Sequence, residues 1–368
     1  MRATPMRVSA TDDPLQAFTR ALPKVELHCH LLGTVRRDTF TDLVRRAGSP
    51  ISDEEIDAFY TRGEKPVGVL RVLRALDAQL IRSPDDLHRI SYEYLQDAAA
   101  HNVHYAEFFW NPTGTARASG IAYPAALAAI VRALADAQRD HGIIGRLIAA
   151  IDREAEPQAA LEMVQWVIDH RCDEVLGVGI DYREVDRPPE LFTAAYAQAR
   201  RAGLKTTAHA GEFGMPWTNV QTAVERLKVD RIDHGYTVLD SPEFTEVCAQ
   251  RGIVFTVVPT NSYYLRTLAP ERWALDHPIR RMPAAGLRIH PNTDDPALHH
   301  VTPTSAWAMM VRDFGFGLED LRGFMHNGLD AAWIDDSTRR AWRADALQRF
   351  EMLRPLWPTP VSISPQGV

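Results

Sequence analysis

Eight short segments along the chain are apolar on at least every second position, as half-buried or fully buried strands require. They are "VELHCH" (25–30), "VHYAEFFW" (103–110), "GRLIAAID" (145–152), "VLGVGID" (175–181), "LKTTAHAG" (204–211), "RIDHGY" (231–236), "IVFTVVPTN" (253–261) and "LRIHPNTD" (287–294). Longer stretches of helical period lie between them. "AALAAIVRALADAQRDHG" and "PPELFTAAYAQARRAG" both end on glycine, and the second opens on prolines, the punctuation expected of helix ends. Repeated strand–helix units predict parallel pairing, and eight of them predict an α/β fold of the (β/α)8 TIM-barrel type. A doubly wound sheet is the alternative, but no Gly-x-Gly-x-x-Gly follows an early strand, which argues against a dinucleotide fold.

The interval from about 34 to 102 is too long for one crossover. Its pieces "RDTFTDLVRRAG" and "PDDLHRISYEYLQDAAAHN" predict a helical insertion over the barrel mouth followed by the first outer helix. The segments "LEDLRGFMHNGLDAAWI" and "STRRAWRADALQRFEMLRPLW" predict extra closing helices at the C-terminal end. No linker divides the chain, so residues 21–368 are expected to form one barrel domain, with residues 1–20 as an N-terminal arm.

Composition narrows the function. With 45% hydrophobic residues the 368-residue chain can bury a normal core. A formal net charge of −7 disfavours binding to nucleic acid. Cys29, Cys172 and Cys248 are far apart, with no Cys-x-x-Cys pair, so a reducing compartment without disulfides is expected. The N-terminus has no apolar signal core, and no run approaches the roughly 20 apolar residues of a membrane helix. A cytoplasmic location and no membrane partner are expected; oligomeric state is open.

The unusual polar residues fall at the predicted carboxyl ends of strands, where a barrel gathers its site. His28 and His30 end the first strand, two apart and therefore on one face. His209 and Glu212 follow the fifth, His234 ends the sixth, and Asp294 and Asp295 follow the eighth. Three imidazoles and a carboxylate suit one zinc ion with an open position for water. On that reading His28, His30, His209 and Asp294 are the ligands. Gly33 and Gly211 permit tight backbone turns beside them. Phe108, Phe109 and Trp110 are expected to pack the barrel, with an apolar lining of the pocket as the alternative, and Trp217 is either a cover for the site or ordinary packing.

Taken together and in order, "KVELHCHLLG", "HAGE", "RIDHGY", "NTDDP" and "HNGLDAAWI" resemble the adenosine/adenine deaminase family of the metal-dependent amidohydrolase superfamily. The resemblance spans roughly residues 22 to 335. It implies a zinc-bearing barrel, with one Zn2+ per subunit, that hydrolyses the amino group of a purine to ammonia and a 6-oxopurine. It implies that Glu212 carries protons near purine N1, that His234 orients the attacking hydroxide, and that Asp295 partners purine N7. The partner is thus a small aminopurine. "HLLG" departs from the family's acidic "HLDG" and "HLEG", putting Leu32 and Gly33 on the substrate side without the acid that binds a ribose 5'-hydroxyl. "GIDYREVD" puts Glu184 where the base-specific branch carries glutamate, and "RIDHG" also leans to that branch. The resulting expectation is deamination of adenosine or a related nucleoside, with the free base adenine, or a 5'- or N6-modified adenine, as the alternative. A phosphoester or amide hydrolase is disfavoured because no second metal cluster or carboxylated-lysine position is legible. A pure binding role would predict an eroded ligand set, and the set is intact.

Overall fold

A computed structural model describes residues 13–62 and 68–358. Eight strands form: β1 (Lys24–Glu26), β2 (Val103–Trp110), β3 (Ile144–Asp152), β4 (Val175–Asp181), β5 (Lys205–Ala210), β6 (Arg231–His234), β7 (Val254–Val257) and β8 (Arg288–Pro291). They pair in chain order, every pair parallel. The ring closes beyond the ends of β1 and β8, where Asp294 N donates to His28 O (3.0 Å) and His30 N to Asp294 O (2.8 Å). Asn292 patches the gap before this, its Oδ1 accepting from Leu27 N at 2.8 Å. This is the predicted (β/α)8 barrel.

Side chains fill the interior. Phe109, Ile148 and Ala150 form one buried layer with Trp333 packed on it. Glycines in β4 make room: a Cβ at Gly179 would stand 2.6 Å from the Phe109 ring, and one at Gly177 would stand 2.3 Å from the backbone oxygen of Lys205. The barrel interior also holds an ion pair without solvent access. Arg231 Nη1 meets Glu107 Oε2 at 2.5 Å, both side chains 0% exposed, and the guanidinium lies 4.2 Å from the Trp333 ring. Glu107 Oε1 accepts from Tyr105 Oη and from Trp333 N at 2.7 and 2.6 Å. The "AAW" of the late motif therefore plugs the barrel.

β2 and β4 have the predicted limits, whereas β6, β7 and β8 stop short of them. His234, Gly235 and Asp294 take positive φ, and such residues leave the strand ladder. β1 likewise ends at Glu26, and beyond it only Cys29 and His30 form isolated bridges.

The expected arm needs correction. Residues 1–12 lie outside the described residues, but Pro14–Ala21 is a helix capped by the Asp13 side chain. Its Phe18 is buried against the rings of Phe350 and Trp357. Phe18 thus binds it to the closing segment, and the helix also packs on helix Pro303–Arg312. The expected insertion forms helices Arg37–Ala47, Asp53–Phe59 and Val69–Ala75, followed by the outer helix Pro84–Ala100, which packs on helix Tyr123–His141. Helix Leu318–Ala331 lies against β8 and β1. Among the described residues no helix is long and apolar enough to cross a membrane, and all three cysteines are free.

Candidate active site

The strand ends bring three imidazoles and a carboxylate to one point. His209 Nε2 lies 3.0 Å from His28 Nε2 and 3.1 Å from His30 Nε2. Asp294 Oδ1 lies 3.7 Å from His28 Nε2 and 3.2 Å from His30 Nε2. Ligands about 2.0–2.1 Å from a tetrahedral zinc stand about 3.4 Å from one another, so this spacing fits such an ion. Each ring is turned inward by a partner on its other nitrogen. His28 Nδ1 is 3.0 Å from Thr256 O, His30 Nδ1 is 3.3 Å from Asp181 Oδ2, and His209 Nδ1 is 3.4 Å from Asp233 Oδ2. With the proton on Nδ1, each inward Nε2 presents a lone pair. Three such lone pairs facing one another repel unless a cation sits among them. Burial, with His209 alongside, also pushes the His28 pKa down to about 4, keeping that ring in the neutral form that a metal requires. The Phe109 ring stacks on His30 at 4.9 Å, so this aromatic of β2 packs the cage from the side.

His234 also reaches the cluster: its donor atom lies within 4.8 Å of those of His28, His209 and Asp294. Its Nε2 is buried without a hydrogen-bond partner and stands 3.5 Å from Glu212 Oε2. That separates it from His30, whose Nε2 contacts two of the other donors directly.

Glu212 follows the positive-φ residue Gly211. A Cβ there would lie 2.4 Å from Thr237 Oγ1, so the turn requires glycine. Burial, reinforced by Asp294 and Glu184, holds the Glu212 carboxyl well above its ordinary pKa. The Glu184 carboxylate anchors this turn: it accepts from Gly211 N (2.9 Å), Glu212 N (3.1 Å) and Asn219 Nδ2 (2.8 Å). This corrects the expectation that Glu184 faces the substrate. It is 1% exposed, and both of its oxygens are occupied by the chain's own donors.

Asp295 lines the cavity above the cage and keeps an unpartnered buried Oδ1. Burial and the neighbouring Asp294 hold its pKa well above the ordinary value. Gly33 is what admits it, because a Cβ at 33 would fall 1.9 Å from Asp295 Oδ1. Leu32 and Gly33 are themselves absent from the cavity wall, and Leu32 belongs to the apolar core. They act behind the site, against the expectation of substrate contact. Trp217 packs on Phe244, while Phe213 and Tyr263 line the cavity instead. The cavity, about 580 Å³, is walled on one side by Val69, Leu70 and Leu73 of the insertion.

Sequence reasoning passed over Asp181, Asp233 and Asn261. The two aspartates stand beside Nδ1 of His30 and His209, and Asn261 Nδ2 donates to Glu212 Oε1 at 3.0 Å. The available signal was an ionisable or amide residue at the carboxyl end of an otherwise apolar strand, in "GID", "RIDHG" and "PTN".

The chain matches the family model described as adenosine deaminase over residues 23–347. It is 32% identical to an adenine deaminase of Vibrio parahaemolyticus, over 89% of this chain and 96% of the relative. It is 32% identical to an adenine deaminase of Rhodospirillum rubrum, over 89% and 97% respectively. Among solved structures, it resembles an amidohydrolase from Burkholderia ambifaria with bound zinc, at 63% identity, TM-score 0.93 and 96% coverage of both chains. An adenine deaminase from Arthrobacter aurescens superposes with TM-score 0.81 at 27% identity, covering 90% of this chain and 99% of that one. With a cage that fits zinc, this chain belongs to the adenosine deaminase family and is a zinc-dependent deaminase of the amidohydrolase superfamily.

Proposed function

We propose that the protein hydrolyses free adenine to hypoxanthine and ammonia. The observation that carries the reaction class is the pairing of a buried, proton-holding Glu212 with the unpartnered His234 Nε2, 3.5 Å apart beside the three-imidazole cage. The base rather than the nucleoside is supported by the relatives named adenine deaminase, which match nearly end to end. The nucleoside expected from the sequence becomes the secondary substrate.

Zinc held by His28, His30, His209 and Asp294 supplies Lewis acidity that makes water nucleophilic near neutral pH. Asp295, protonated through burial, donates to a purine ring nitrogen and orients the base. Glu212 gives its proton to N1 as water adds at C6, so the ring nitrogen takes up the electron pair without becoming an anion. Glu212 then takes one proton from the added oxygen and passes it to the amino group, and as the C6–N bond breaks with loss of ammonia the oxygen's second proton returns to Glu212, leaving the 6-oxo group and the acid as it began. His234 Nε2 holds the attacking oxygen in place. A second reading, an adenine enlarged at N6 or N9, is favoured by the cavity: about 580 Å³ is in the range that accepts ligands larger than a bare purine.

The test is a kcat/KM ranking of the zinc-loaded protein on adenine, adenosine, 2'-deoxyadenosine, 5'-modified adenosines and N6-substituted adenines, with ammonia as the readout. Adenine should lead. A lead for a substituted purine moves the assignment to the second reading, and no ammonia from any of them removes the proposal.

A further inference from the structure

We propose that Asn261 is a positioning residue that selects which oxygen of Glu212 carries the mobile proton. The proposal rests on the acid–base reading of Glu212 given above.

Asn261 follows β7 and is 1% exposed. Its side chain faces two ways. Oδ1 accepts from the backbone N–H groups of Tyr263 (3.0 Å) and Tyr264 (3.4 Å) at the start of helix Ser262–Thr267. Backbone N–H groups only donate, so that end of the amide must be the oxygen. Nδ2 is thereby forced to the other side, where it donates to Glu212 Oε1 at 3.0 Å. The amide cannot flip without setting N–H against N–H.

A protonated carboxyl carries a single O–H. The oxygen that accepts from Asn261 is the carbonyl-like one, which leaves the proton to Oε2, the oxygen 3.5 Å from His234 Nε2. The terminal torsion of a glutamate is broad and nearly two-fold. Without Asn261 the carboxyl would turn, and the proton would divide between two positions. The backbone of Glu212 is clamped separately by Glu184, so the acid is held at both ends. Such positioning acts on the chemical step more than on substrate binding.

Asn261→Asp isolates the donor from the cap. Aspartate caps a helix about as well as asparagine but brings no N–H to Glu212. With zinc still at one per chain, kcat for adenine should fall about 100-fold while KM moves less than about threefold. A double-mutant cycle on thermal unfolding of the zinc-loaded protein gives a readout independent of turnover. Asn261→Asp should lower Tm in the wild-type background. In the Glu212→Gln background it should lower it less or raise it, because the new amide at 212 can donate to the new carboxylate at 261. A kcat within threefold of wild type, or Tm shifts that simply add, overturns the proposal. Should the wild-type protein release no ammonia from any aminopurine, the deaminase reading fails, while the Tm cycle still decides whether the two side chains are coupled.

Discussion

Asp233 Oδ2 stands 3.4 Å from Nδ1 of His209, and the aspartate is itself held by two threonine hydroxyls. Thr207 Oγ1 donates to Oδ2 and Thr256 Oγ1 to Oδ1, each at 2.8 Å. The two hydroxyls therefore fix the carboxylate beside the ring. If His209 holds zinc as proposed, a partner of this kind typically changes metal affinity 10- to 100-fold. Asp233→Ala should weaken zinc retention by about that factor, read from the zinc left on the protein after titration with a competing chelator. Retention equal to wild type would show that the ring needs no such support.

Gly33 does not line the cavity, yet it sets the place of Asp295, which does. A methyl group at 33 would fall 1.9 Å from Asp295 Oδ1, so Gly33→Ala must displace that carboxyl. If Asp295 orients the purine, kcat/KM for adenine should drop about 100-fold or more, the scale on which a site loses discrimination when a required polar contact goes. Zinc content should stay at one per chain. Unchanged kinetics would mean that the carboxyl relaxes freely or is not needed.

The Glu107–Arg231 pair lies inside the barrel with no exposure on either side chain. Removing one member of such a pair strands the other charge. Glu107→Ala should destabilise the protein by about 3–5 kcal/mol, measured as the shift in urea unfolding. Replacing Arg231 and Glu107 together by apolar residues should cost less than the single change.

His277 gives a pH dependence away from the zinc cage. Burial alone pushes its pKa down to about 3, among the rings of Tyr236, Tyr264, Trp273 and Phe314. Between pH 6.5 and about 3 the unfolded chain binds a proton here that the folded chain does not. Stability therefore rises with pH across this window, is complete above pH 6.5, and is lost as the pH falls. The ceiling for this one group is about 5 kcal/mol. His277 Nδ1 accepts from Ile279 N at 3.2 Å, which asparagine can mimic. His277→Asn should lower Tm at pH 7 through the space it leaves, and should flatten the fall in Tm between pH 6.5 and pH 4. An unchanged slope would place the acid sensitivity elsewhere.

The barrel was readable because alternation and buried runs mark strands whatever surrounds them, and strand ends in a parallel barrel must converge. That sufficed to bring His28, His30, His209 and Asp294 together on paper. Glu184 and Glu212 show where the reading stopped. Both are carboxylates near strand ends, and nothing local tells them apart. Glu212 faces the cavity only because the positive-φ turn at Gly211 lifts its backbone onto the carboxylate of Glu184.

The linear order of residues, by itself, determined the number of strands, their parallel sense and the chemical kind of each residue at their ends. Periodicity and donor type are local properties of the chain. Tertiary structure alone decided which polar groups face the cavity and which serve behind it. Leu32 and Gly33 went to the back of the wall, Asp295 to the front, and Asn261 to the side of Glu212. The direction of a side chain at a strand end depends on packing and hydrogen bonds from segments remote in sequence, as with Glu26 Oε1, which accepts from Thr293 N 267 positions away.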